Sequence, residues 1–83
     1  MRLEIISPEK RLFTGEVESV NLPGTAGGFT VLPHHAALIS SLKTGEVSYI
    51  ENGNEIKMQI DSGFVEVSGN EVYVCIEKVV KQK

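Results

Sequence analysis

Residues 45–60 read GEVSYIENGNEIKMQI, and this stretch decides the fold. Ile56, Met58 and Ile60 alternate with Lys57, Gln59 and Asp61, the period of two expected of a strand with one buried face. Before them, "GEVSYI" leads into "ENGN". Asn52–Gly53 is a strong hairpin signal, because the tight turns that match strand twist need positive φ, which Asn and Gly tolerate. Two antiparallel strands are therefore expected, joined at that tip.

Working outward, the same pattern recurs. Downstream, Gly69–Asn70 turns the chain into "EVYVCIE", where Val72, Val74 and Ile76 face one way. Between the two hairpins, "SGF" (62–64) is expected to turn the chain into "VEV", with Phe64 in the core. Upstream, Leu38, Ile39 and Leu42 mark one strand and Phe29 and Val31 another. At the start, Leu3, Ile5 and Ile6 form a strand that ends in a turn at Pro8–Lys10. In "LFTGEVESVNL" (12–22), Phe13, Gly15 and Val17 share one parity, while Val20 and Leu22 share the other. A strand with one buried face cannot change parity without an extra residue, so a bulge is predicted near Glu18–Ser19. The result is an all-β chain of about eight short strands, in one domain, with the turn punctuation of a sandwich or barrel. Residues 80–83 read as a frayed, basic tail.

Composition bounds the function. The 83 residues carry a net charge of −3, with no basic stripe of the kind that phosphate backbones require. The single cysteine, Cys75, excludes an internal disulfide and fits a reducing compartment. No apolar run approaches the roughly 18 residues of a spanning helix, and the first residues are too polar for a signal peptide. The expected location is therefore cytoplasmic.

Residues 22–35, "LPGTAGGFTVLPHH", are the richest in chemistry-bearing types. A phosphate cradle would need a lysine and a following helix, and neither is present. A zinc site would need three or four converging ligands. The candidates are His34, His35 and Cys75, and adjacent histidines in extended chain point opposite ways. No serine sits in a nucleophile elbow, Cys75 lies mid-strand, and Glu16, Glu18, Glu66 and Glu71 fall on outward parities. No cofactor is expected. One alternative is a small lipoyl- or biotinyl-carrier domain displaying Lys57. The hairpin tip, however, is Asn52–Gly53, and Lys57 falls inside a strand. What remains is a small, uncharged, glycine-rich loop suited to close approach by a partner.

The ordered series Ser7-Pro8, Phe13-x-Gly15, Pro23-Gly24-x-x-Gly27-x-Phe29-x-Val31-Leu32-Pro33-x-His35-Ala36, Leu42-x-x-Gly45 and Gly63-Phe64-x-Glu66-Val67 resembles the epsilon subunit of bacterial F-type ATP synthase (delta in mitochondria). The likeness runs over about residues 2–79. It implies a flattened β-sandwich of about eight to ten strands and a non-catalytic rotor subunit. Such a subunit joins the gamma shaft to the membrane-embedded c-ring, within a complex whose alpha and beta subunits do the chemistry. It would lie peripherally at the cytoplasmic face of the bacterial plasma membrane. By position, Thr25, Ala26, Gly27, Gly28 and Phe29 match the segment that meets the c-ring. Ser7, His35, Ala36 and Ser40 match the gamma contact.

A gamma-facing sheet should leave apolar surface exposed, because a stable interface buries roughly 800 Å² per partner with an apolar centre. Leu38 or Ile39, whichever points outward, is the expected contributor. Three positions depart from the family pattern: Gly28 replaces an acid found in several relatives, His34 a glycine and Ala37 a proline. The chain also ends at Lys83, without the two-helix hairpin that in many relatives restrains hydrolysis or binds ATP. The expectation is a naturally short subunit with neither role.

Overall fold

The computed structural model describes residues 1–79, and eight strands account for most of them. They are β1 (Arg2–Ile6), β2 (Arg11–Glu16), β3 (Ser19–Leu22), β4 (Phe29–Val31), β5 (Leu38–Leu42), β6 (Gly45–Glu51), β7 (Asn54–Ser68) and β8 (Glu71–Val79). One hydrogen-bonded path runs β2-β1-β8-β7-β6-β3-β4, and β5 pairs with β7 beside it. All these pairs are antiparallel except β1 with β8. The β6–β7 hairpin is the one read at Asn52–Gly53, and both tip residues adopt positive φ, 52° and 79°.

The path folds over on itself to make a sandwich of two limbs. In the first limb, β4, β3 and β6 continue into the opening half of β7 through Gly45↔Ile60. In the second, β5 lies on the closing half of β7, with Leu38↔Val67 and Leu42↔Gly63, and β8, β1 and β2 extend it. Inner residues of both limbs form a single core cluster. Leu3, Ile5, Val20, Val31, Val47, Ile60, Val65 and Val74 are all fully buried in it. Phe13 of the second limb meets Tyr49 of the first with ring centroids 4.5 Å apart, so an aromatic pair ties the layers together.

Three expectations need correction. The stretch 62–64 is not a turn, because β7 runs unbroken from Asn54 to Ser68. Pairing with β8 instead shifts register around Ser62. Inward residues are Ile56, Met58 and Ile60 before that point and Gly63, Val65 and Val67 after it. One strand therefore serves both limbs, and the irregularity changes its parity. Phe64, next to inward Gly63, consequently points outward and is 46% exposed rather than core.

The parity change in residues 12–22 is real, but its cause is not a bulge within one strand. β2 ends at Glu16 and β3 begins at Ser19. Val17 N–H donates to Met1 O in the second limb, and Glu18 N–H donates to Ile50 O in the first, each at 2.8 Å. The chain changes layers there, which reverses the side that counts as inside. The tail read at residues 80–83 lies outside the described residues.

Candidate docking surfaces

Residues 23–28 form the loop of the β3–β4 hairpin, closed by the pair Leu22↔Phe29. Thr25, Ala26, Gly27 and Gly28 are exposed, and Phe29 half-buries against the core. Two glycines are required by geometry. A Cβ on Gly24 would lie 2.7 Å from the Gly27 carbonyl oxygen and 2.8 Å from the Phe29 ring. Gly27 has φ 133°, which side chains rarely adopt, and its N–H donates to Gly24 O at 2.9 Å. The loop is not free-standing. Gly24 bridges to Leu42, Thr25 N–H donates to Ser41 O at 3.1 Å, and the Thr25 and Ser41 hydroxyls meet at 2.8 Å. Lys43 N–H closes the clasp onto Pro23 O at 2.9 Å. The expected c-ring segment is thus stitched to β5.

The next turn, Leu32–His35, is closed by His35 N–H donating to Leu32 O at 3.1 Å. Pro33 holds its second position and His34, with φ 68°, its third. That third position favours glycine, which gives a physical reason for a glycine before the His-Ala pair. His34 N–H also lies 3.4 Å from the Asn70 side-chain oxygen. His35, half-buried, donates from Nδ1 to the Ala36 carbonyl at 2.7 Å, and Ala36 and Ala37 are exposed. Ser40 is half-buried and its hydroxyl donates to Ser41 O at 3.0 Å. Ser7 is spent locally: its hydroxyl exchanges bonds with Lys10 across the β1–β2 turn.

Ser40 shares the inward parity of Leu38 and Leu42 and pairs with buried Val65, so it lies apart from Ser7, His35 and Ala36, which border a surface that sequence reading only partly anticipated. The second limb's outer face carries two cross-strand rows. One runs Ile39–Glu66–Tyr73–Glu4 and the other Ser41–Phe64–Cys75–Ile6. Among the described residues, five large hydrophobics are exposed: Ile6, Leu32, Ile39, Phe64 and Tyr73. Four of them stand in these two rows, and Leu32 starts the turn that leads into β5. Ile39, at 75% exposure, is the outward member of the Leu38–Ile39 pair. An apolar hollow of about 260 Å³ opens between Ile6, Ser7, Pro8, Phe64, Cys75, Ile76 and Glu77. A second, of about 370 Å³, lies around Ile39 and is bordered by Ala37 and Glu66.

Ser7 therefore lines one hollow, while His35 and Ala36 lead into β5, which edges the other. Ser41, clasped to Thr25, sits in the row of Phe64, so the loop and the apolar face are contiguous. Phe64 and Ile6 were missed as surface residues because local alternation alone cannot reveal a parity change inside β7 or place Ile6 at a strand end.

Among the described residues, no three His, Cys, Asp or Glu side chains converge as a metal site. Cys75 is half-buried on the outer face, and its thiol pKa is pushed up first by burial and then by the Glu66 and Glu4 carboxylates. Such a thiol is a poor nucleophile at neutral pH. Lys57 stands inside the opening of β7, opposite Ser48, and not at the hairpin tip where a carrier displays its modified lysine. No helix among the described residues is long and apolar enough to cross a membrane.

Comparison with known proteins agrees with the motif series. The ATP synthase epsilon chain of Chlorobium limicola is 42% identical over 79 residues, covering 94% of this chain and 90% of that one. That of Chlorobaculum tepidum is 44% identical over 78 residues, covering 93% and 89%. The epsilon chain of Maricaulis maris is 36% identical over 80 residues, and this chain spans only 60% of its length. The fold also matches a chain of the Euglena gracilis mitochondrial ATP synthase (OSCP/F1/c-ring) with a TM-score of 0.86 at 21% identity, covering 94% of this chain and 51% of that one. A chain of the Tetrahymena thermophila mitochondrial ATP synthase central stalk and c-ring matches with a TM-score of 0.83 at 11% identity, covering 96% and 65%. The model of the ATP synthase delta/epsilon chain, beta-sandwich domain, matches residues 1–82, and the chain belongs to that family.

Proposed function

We propose that the protein is a central-stalk rotor subunit that couples ion-driven ring rotation to ATP synthesis by holding shaft and ring together, without catalysis of its own. The outer face of β5, β7, β8 and β1, with Ser7, His35 and Ala36 at its border, takes the gamma subunit, and Ser40 contributes from within β5 on that strand's inward parity. The exposed loop Thr25–Phe29 takes the polar loops of the c-ring. Alpha and beta subunits join it only within the complex, at the cytoplasmic face of the bacterial plasma membrane.

The observation that carries this reading is the gathering of Ile6, Ile39, Phe64 and Tyr73 on one outer face. Exposed apolar side chains scattered singly need no explanation, whereas a contiguous set beside two hollows marks a surface that another protein covers. The Thr25–Ser41 clasp supports the second contact. A loop that must pass on torque has to be fixed to the sheet, and this one is held by backbone and hydroxyl bonds to β5.

The test is co-purification. The tagged protein is expressed in its native host, membranes are solubilised gently, and what accompanies it is identified by mass spectrometry. Recovery of gamma with alpha, beta and c subunits is expected. Recovery of none of them, with the protein free, would count decisively against a rotor subunit.

A further inference from the structure

Phe64, Cys75 and Ile6 do not stand in neutral surroundings. On one side, the adjoining row carries Glu66 and Glu4, with Glu71 one row further, where it accepts the Tyr73 hydroxyl. On the other side, Glu77 lines the same hollow as Phe64 and Cys75 and accepts from the Ser62 hydroxyl at 2.9 Å. Basic groups offset part of this charge. Arg11 pairs with Glu4 at 3.0 Å, and Arg2 stands opposite Glu71. Glu66 and Glu77 have no basic partner among the described residues. The carboxylate field reaches the apolar row, since Glu66 and Glu4 both add to the upward shift of the Cys75 thiol.

We propose that the partner segment covering this face presents an apolar row flanked by lysine or arginine side chains, which meet Glu66 and Glu77 while one large apolar side chain fills the hollow between Ile6, Phe64 and Cys75. This rests on the docking reading above and names the chemistry that the partner must bring. Charge complementarity selects the occupant. A second copy of this chain would set the same carboxylates against one another, and like charges brought together across an interface are strongly unfavourable. An anionic lipid surface is repelled for the same reason. A basic-flanked segment is drawn in and held in one register, with the apolar anchor supplying most of the affinity.

The experiment titrates the purified gamma subunit of the same organism's ATP synthase into the wild-type protein and into Glu66→Lys, Glu77→Lys, Glu66→Gln and Phe64→Ala. Binding is followed at about 0.1 M and about 1 M salt, where the Debye length falls from about 10 Å to about 3 Å. The lysine variants are expected to lose about tenfold in affinity at the lower salt, mostly through slower association, and to approach wild type at the higher. Glu66→Gln loses less with the same salt dependence, and it keeps the test open should a lysine variant fail to fold. Phe64→Ala loses affinity at both salts. Wild-type binding that the charge variants leave unchanged or tighter overturns the basic flank and leaves the docking reading standing. Absence of wild-type binding overturns both.

Discussion

On the outer face of the first limb, Thr30, Asn21, Ser48 and Lys57 stand side by side across four strands. Thr30 donates to the Asn21 amide oxygen, and the Asn21 amide donates to the Ser48 hydroxyl at 3.1 Å. On the outer face of the second limb, the corresponding row is Ser41, Phe64, Cys75 and Ile6. Both limbs turn their inner faces to one core, although β1 and β8 of the second pair in parallel whereas the first is antiparallel throughout. The outward side chains set the two faces apart. In the first row Thr30, Asn21 and Ser48 satisfy one another, Ser48 being itself buried, and Lys57 stands exposed in water. The second leaves carbon exposed beside a hollow, which costs free energy until something covers it, at about 25 cal/mol per Å². On the proposed reading, that difference in outward side chains is what leaves one outer face to solvent and offers the other to a partner.

Adjacent residues of β7 offer the sharpest way to break the comparison. A Cβ on Gly63 would lie 2.3 Å from the Cys75 carbonyl oxygen, which is backbone and cannot swing aside. Gly63→Ala should therefore force β7 and β8 apart and destabilise the fold by about 3 kcal/mol, the upper part of the range for overpacking. Both faces are then lost together, and urea unfolding reads the effect directly. A midpoint unmoved by the added methyl would mean that this close approach is absent.

Phe64→Ala is expected to do the reverse. With the ring 46% exposed, stability should change by no more than about 0.5 kcal/mol, the usual scale for surface sites. Gamma affinity should fall at least about tenfold, or about 1.4 kcal/mol. Ala36→Asp, at the border of the same face, should weaken gamma binding similarly by desolvating a charge, while an Asn21→Ala change on the polar face should leave gamma binding alone. Equal sensitivity of the two faces would remove the distinction between them.

The clasp between loop and face predicts a smaller effect. Thr25→Ala or Ser41→Ala removes one hydroxyl bond, worth about 0.5–1.5 kcal/mol. The double variant should lose little more than either single one, since the two hydroxyls serve each other. Faster amide exchange at Thr25 in the single variants would locate the loss in the loop. Strictly additive losses would mean that the two side chains act independently. Smallest of all is His34→Gly. Relief of the left-handed backbone at φ 68° favours glycine, while its extra freedom in the unfolded chain opposes it. A net gain of up to about 1 kcal/mol is expected, read as a raised melting temperature, with clear destabilisation as the outcome that would contradict the strain.

Much of this was legible in residue order. The Asn52–Gly53 turn, the inward faces of β3, of the opening half of β7 and of β8, and the need for a parity change between Val17 and Val20 all follow from local rules. So does the uncharged, glycine-rich character of residues 24–28. A period of two and the φ requirements of a turn are properties of a few neighbouring residues, and a sequence states them openly. The motif series also carried the family.

Three matters were settled only by tertiary structure. The parity change at residues 17–19 is a crossing between limbs, which depends on Met1 and Ile50 arriving on either side. β7 continues through Ser62–Phe64, so that Gly63 closes on the backbone of β8 while Phe64 turns to water. Ser41, Phe64, Cys75 and Ile6 become one row although they come from four strands. The physical reason is the same in each case. Which side of a strand is inside, and which residues are neighbours across it, is decided by pairing partners distant in the chain, and no local pattern contains them.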